Sequence, residues 1–144
     1  PFAPLFLLDD AQLAARGIAR RIADADRGFP CRASLEDARR GEEVLLLPYT
    51  HQPAVSPYRA SGPVFVRRHA AQRVLAAGEV PPYVGERLIS LRAYDAAHLM
   101  VDAEVCAGDA VAAWLEAAFE APGTAYVHLH YARRGCFSCL ARRA

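Results

Sequence analysis

From Leu88 to Tyr94 apolar and polar side chains alternate without a fault: Ile89, Leu91 and Ala93 fall on one side, Ser90, Arg92 and Tyr94 on the other. Leu99, Val101, Ala103 and Val105 repeat the pattern against Met100, Asp102, Glu104 and Cys106. Successive side chains of a strand point to opposite faces, so a period of two calls for a sheet with one buried face. Residues 95 to 98 are all that separate the two runs, and so short a connection joins antiparallel neighbours.

The other segments are read against that pair. Asp9 or Asp10 caps a short helix that runs through Leu13 and stops at Gly17, and a strand follows at about Ile18 to Ala23. Gly28 to Cys31 reads as a turn, and Ser34 to Arg40 as one or two helical turns capped by Ser34. Val44 to Leu47 is continuously apolar, the pattern of a central strand covered on both faces, with Pro48 ending it or placing that end at an edge. Tyr49 to Pro63 carries prolines at 53, 57 and 63 and reads as a long loop, of the kind that often carries function, before a strand at Val64 to Arg68. Asp109 caps a helix whose Val111, Trp114, Leu115, Ala118 and Phe119 share one face, and Pro122 and Gly123 stop it. A last strand, Ala125 to Ala132, sets Val127, Leu129 and Tyr131 against Tyr126, His128 and His130. This order predicts one α+β domain over residues 1–144: a single, mostly antiparallel sheet of about five to seven strands with one long amphipathic helix packed on a face.

Composition narrows the chemistry. The chain has 144 residues, enough for one hydrophobic core, and 53% of them are hydrophobic, which argues against disorder. All 17 basic residues are arginine, so Schiff-base chemistry and the phosphate-binding lysine of a P-loop are excluded. A net charge of +1 gives no reason to expect nucleic acid. No apolar run approaches a membrane span and no basic leader precedes one, so a cytoplasmic protein is expected. The four cysteines, at 31, 106, 136 and 139, are too unevenly spaced for a disulfide framework, which fits a reducing compartment.

The densest chemistry lies near the end, where His128 and His130 precede Cys136 and Cys139. Alternate strand residues share a face, so the two imidazoles can meet one ion, and a zinc site of His128, His130, Cys136 and Cys139 would follow. That set requires a chain reversal near Gly135 and a tight turn at Phe137 and Ser138, because positions three apart otherwise face opposite ways. Thiol redox at the Cys-x-x-Cys pair, with Arg133 and Arg134 beside it, is a second reading. A third leaves Cys139 in the core, Cys136 near the surface and the histidines on a polar strand face.

The proline-stiffened loop contributes Arg59 and Ser61, donors suited to a carboxylate or phosphate. If it folds over the strand face that bears Arg92, Tyr94, His128 and His130, a polar site for a small anionic ligand results. Against this, Arg59 would hydrogen-bond loop carbonyls and Arg92 would pair with Asp95 or Glu104 for structure alone.

Gly28-Phe29-Pro30-Cys31-Arg32, Pro57-Tyr58-Arg59-Ala60-Ser61-Gly62-Pro63, Leu91-Arg92-Ala93-Tyr94-Asp95, His128-Leu129-His130 and Gly135-Cys136-Phe137-Ser138-Cys139 together resemble a bacterial family catalogued as domain of unknown function 1203. The resemblance implies a small stand-alone bacterial protein and brings no activity with it. Tyr131 stands where an asparagine is common in the family pattern, and Leu140, Ala141 and Arg142 where an acidic residue often follows the second cysteine. The reading that results is a cytoplasmic binding protein for a small anionic molecule, with Arg59, Ser61, Arg92, Tyr94, His128 and His130 as ligand contacts. A metal- or thiol-dependent enzyme using the terminal histidines and cysteines, with zinc as its ion, is the alternative. A protein-interaction module and assembly with further copies of the chain stay open.

Overall fold

A computed structural model of the protein describes residues 2 to 144. The chain enters through a 3₁₀ turn, Ala3–Leu7, which buries Phe6, and Asp9 then opens helix α1 (Asp10–Ala14). The Asp9 carboxylate accepts the Gln12 N–H at 2.7 Å while the Gln12 side chain accepts the Asp9 N–H at 2.9 Å, a reciprocal capping box. Gly17, at φ +70°, turns the chain out of the helix as its position predicts. Strand β1 (Ala19–Ile22) pairs antiparallel with β4 (Glu43–Gln52), whose Val44, Leu45 and Leu47 are buried. With β5 (Ala60–Arg67), β2 (Pro30–Cys31) and β3 (Glu36–Asp37) they form a five-stranded sheet in the order β1-β4-β5-β2-β3. Phe6, Leu13, Ile18, Leu45, Leu47, Val64 and Val66 make one apolar cluster on it.

The second sheet is antiparallel, in the order β7-β6-β8-β9, from β6 (Leu88–Tyr94), β7 (Met100–Ala107), β8 (Tyr126–Tyr131) and β9 (Phe137–Arg142). Ile89, Leu91 and Ala93 are fully buried, as the alternation requires. Gly108 starts a 3₁₀ turn (Gly108–Ala110) that runs straight into helix α3 (Val111–Glu120), which buries Val111 and Ala118. Nothing larger than hydrogen fits at Gly108: a Cβ there would lie 1.9 Å from the Val84 carbonyl oxygen, in the short helix α2 (Pro82–Gly85). Arg143 closes the other end of α3, donating to the carbonyls of Phe119, Ala121 and Thr124. Strand β7 is an edge and is largely exposed. Its Ala103 and Val105 N–H groups each donate, at 2.8 Å, to the carboxylate of the preceding residue, Asp102 and Glu104.

The fold is α+β, but the single sheet expected is two sheets. Alternation reports which face a side chain takes and not which strand lies beside it, so pairing across residues 68–87 was never encoded in the pattern. The first sheet is mixed because Cys31 of β2 runs parallel to Phe65 of β5. Ser34 to Arg40 is not helical: Leu35 takes φ +57°, which turns the chain from β2 into β3. Asp109 gives α3 no side-chain cap, since the 3₁₀ turn places Ala110 at that position. Strand β4 continues through Pro48 because its β1 partners end at Leu46, leaving that side open where a missing N–H is tolerated. The long loop therefore shrinks to residues 53–59.

By contacts the chain gathers into two units. One comprises the chain up to Tyr49 with Gly62–Val74, the other Thr50–Ser61 with Leu75–Ala144. No described helix is long and apolar enough to cross a membrane.

Candidate functional site: the imidazole face of the second sheet

All the groups of interest here belong to the second unit. Register places Ser90 opposite His130, Arg92 opposite His128 and Tyr94 opposite Tyr126, so these six side chains share one face of β6 and β8. On β9 Phe137 stands opposite His130, whereas Cys139 stands opposite Leu129, because a bulge at Ser138 shifts the register between them. That bulge replaces the tight turn a His₂Cys₂ site would need. Chain reversal at Gly135 does occur, at φ +77°, yet Cys139 ends on the face opposite the imidazoles, buried, with the Ser138 hydroxyl 3.7 Å from its sulfur. The expected set of His128, His130, Cys136 and Cys139 is therefore not brought together. No disulfide joins any of the four cysteines, and among the described residues no three His, Cys, Asp or Glu side chains are arranged to hold a metal ion.

The end of β4 and the loop after it cover the imidazole face. His51 lies with its ring centroid 5.0 Å from that of His130 and 6.3 Å from that of His128, and it stacks on Phe137 at 5.1 Å. Gln52, 2% exposed, donates from Nε2 to the Tyr126 hydroxyl at 3.0 Å. Having accepted that bond, the hydroxyl is also 2.8 Å from Nδ1 of His98, a residue at φ +64° in the turn between β6 and β7. Tyr58 meets Tyr94 edge-on at 5.7 Å, and Tyr94 stacks on Tyr126 at 5.2 Å. The loop thus does fold over the strand face, as the site requires. The expected ligand contacts divide. Tyr94, His128, His130 and Arg92 are gathered there, while the exposed Arg59 turns its guanidinium to the Pro53 carbonyl at 2.7 Å, and Ser61, also exposed, shares a hydrogen bond with Thr50.

His130 is the most confined of these groups, at 1% exposure. Its Nδ1 is 2.9 Å from the Gly135 carbonyl oxygen, which can only accept, so Nδ1 carries the hydrogen and Nε2 the lone pair. That Nε2 is buried and has no hydrogen-bond partner. Burial pushes His130 down to about 4 despite the Gly135 bond, and repulsion from Arg92 and His51 adds to the effect, so the ring is neutral near pH 7. Burial likewise raises the Tyr94 phenol, opposed by the nearby charge of Arg92. Arg92 is half-buried, and its one hydrogen bond is a long one, from Nε to the Ser90 hydroxyl at 3.4 Å. Among the described residues no carboxylate pairs with it, so the expected structural pairing with Asp95 or Glu104 does not form; Glu104 stands opposite Leu91, on the other face.

His51, Gln52, Tyr126 and Phe137 were not among the expected contacts. Continuing the strand past Pro48 would have put His51 and Gln52 in play, and pairing the last two strands would have put Phe137 opposite His130. The Ser138 bulge left no mark in the sequence.

No curated protein and no solved structure shows a significant match to the chain. A family model described as Protein of unknown function (DUF1203) matches residues 28–143, a span holding every block on which the resemblance rested, so the chain belongs to the DUF1203 family.

Proposed function

We propose that the chain is a binding protein for a small anionic molecule held on the Arg92 side of the four-stranded sheet. One observation carries the reading. Arg20 and Arg67 are each paired with two carboxylates, Asp10 and Glu43 for one and Glu36 and Glu42 for the other, whereas Arg92 has none among the described residues. A guanidinium withdrawn from water without a counter-charge costs stability, and a ligand carboxylate or phosphate would offset that cost through a bidentate pair. Tyr94 and Tyr58 offer ring faces beside it, and Arg59 and Ser61 stand on the covering segment, where they would meet the ligand's outer side.

The test is a melting-temperature screen of acetate, lactate, citrate and phosphate with the parent chain and Arg92→Met, which keeps an apolar stem and removes the charge. At least one anion should raise the parent's Tm with concentration and leave the variant unmoved, as mass action dictates. Equal shifts in both proteins, or no shift in the parent, end the proposal.

A further inference from the structure

The His130 ring has a chemical polarity that Arg92 alone does not explain. A buried acceptor with no donor costs about 1–3 kcal/mol, so the lone pair retained on His130 Nε2 points to a missing partner. That partner must be a donor, because the Gly135 carbonyl already fixes the hydrogen on Nδ1. It must also suit Arg92. Ser90 and not Arg92 stands directly opposite His130, so Arg92 and His130 are diagonal neighbours on adjacent strands, about 7–8 Å apart at the backbone. One small molecule spans that gap if its anion and its donor are only a few bonds apart.

Resting on the anion-binding reading, we propose that the ligand is a hydroxy acid, its carboxylate on Arg92 and its hydroxyl donating to His130 Nε2. The carboxylate is favoured over a simple inorganic anion because the face also presents aromatic rings, Tyr94, Tyr126 and Phe137, against which a carbon skeleton packs. His51 and Phe137 pack on the His130 ring, so entry needs His51 at the end of β4 to shift as well as the 53–59 loop to lift. The loop's contacts with the sheet run through Tyr58, and Pro53, Val55, Pro57 and Arg59 are exposed, the profile of a segment that opens at little cost.

Matched probes separate this from anion binding at large. Lactate and propionate differ by one hydroxyl, and so do 3-hydroxybutyrate and butyrate. At least one hydroxy acid should bind the parent about tenfold more tightly than its deoxy partner, the discrimination of one buried hydrogen bond. In His130→Asn the side-chain amide occupies the place of Nδ1, keeps the Gly135 bond and removes the lone pair, and the preference should vanish. Imidazole nitrogen NMR of the parent needs no variant: His130 should show protonated Nδ1 and bare Nε2, with the Nε2 resonance moving on addition of lactate and not of propionate. If both members of each pair bind equally and Arg92→Met abolishes both, the hydroxyl assignment falls and anion binding stands. If no carboxylate binds, both fall. An Nε2-protonated tautomer, or stoichiometric zinc in chelator-free protein that is lost in His130→Asn, also overturns the assignment.

Discussion

The two sheets treat their charged side chains in opposite ways. In the five-stranded sheet Arg67 donates to Glu42 at 2.7 Å and also to Glu36, Arg20 binds Asp10 and Glu43, and Arg68 reaches Glu43 at 2.6 Å. Those pairs close on themselves, so Arg20, Arg67 and Arg68 are explained by the fold. On the four-stranded sheet Arg92 and His130 are turned inward and left short of partners. Satisfied polar groups report on folding. Groups left short of a partner, such as Nε2 of His130, report on something that folding alone does not require.

If that contrast is physical, acid should act on the four-stranded sheet first. His130 has a folded value of about 4 against 6.5 for the free side chain. Above pH 6.5 neither state holds the proton and the contribution is intact. Between 6.5 and about 4 only the unfolded chain takes it up, so stability should fall by about 1.4 kcal/mol per pH unit, roughly 3 kcal/mol in all, before levelling. Denaturant titrations across that window should show the slope, and His130→Asn should flatten it. Glu42 runs later: burial works to raise it, but hydrogen bonds from Arg67 and the Arg39 N–H outweigh that and lower it below 4.5. Its stabilising share is complete above 4.5 and is lost only as pH drops through the depressed value.

Gly108→Ala comes next, at about 2 kcal/mol of overpacking, since the added methyl meets the backbone of Val84 and Gly85 and not a side chain that could rotate away. Fluorescence of Trp114, in the helix that Gly108 introduces, should lose its folded signal at lower denaturant. Smaller still, Arg67→Met should cost about 1–2 kcal/mol by stranding Glu36 and Glu42. Arg92→Met in the same assay should cost nothing and should stabilise by up to about 0.5 kcal/mol, because it removes a half-buried charge that has no counter-charge among the described residues. Equal losses for the two arginines would erase the distinction between the sheets.

Much of this was legible in advance, and the reason is periodicity. Ile89, Leu91 and Ala93 declared a buried face, and the opposite positions, Ser90, Arg92 and Tyr94, proved to share theirs with His128 and His130. Asp9 and Gly17 mark the limits of the first helical segment because caps act through local bonds. What stayed hidden was non-local or counter to propensity. Leu35 in a left-handed turn, the parallel meeting of Cys31 with Phe65, and the offset at Ser138 depend on contacts that neighbouring residues do not foretell. Pro48 left two outcomes open, a strand end or an open edge, because its local rule does not tell whether a partner strand lies on the N–H side, and the open edge is what forms. Half of the candidate site was therefore readable, the half on β6 and β8, and the half delivered by β4 and β9 was not.

The self-bonded carboxylates of β7 bear on how the protein lives at high concentration. An outermost strand eight residues long, with Val101 and Val105 half open to water, would ordinarily invite a stranger's backbone to zip on. By folding Asp102 and Glu104 back onto the amides of Ala103 and Val105, the chain withholds two of the donors such zipping would use and presents negative charge to anything that approaches. Protection against fibril-like growth is thus written into two acidic side chains rather than into a proline or a covering loop.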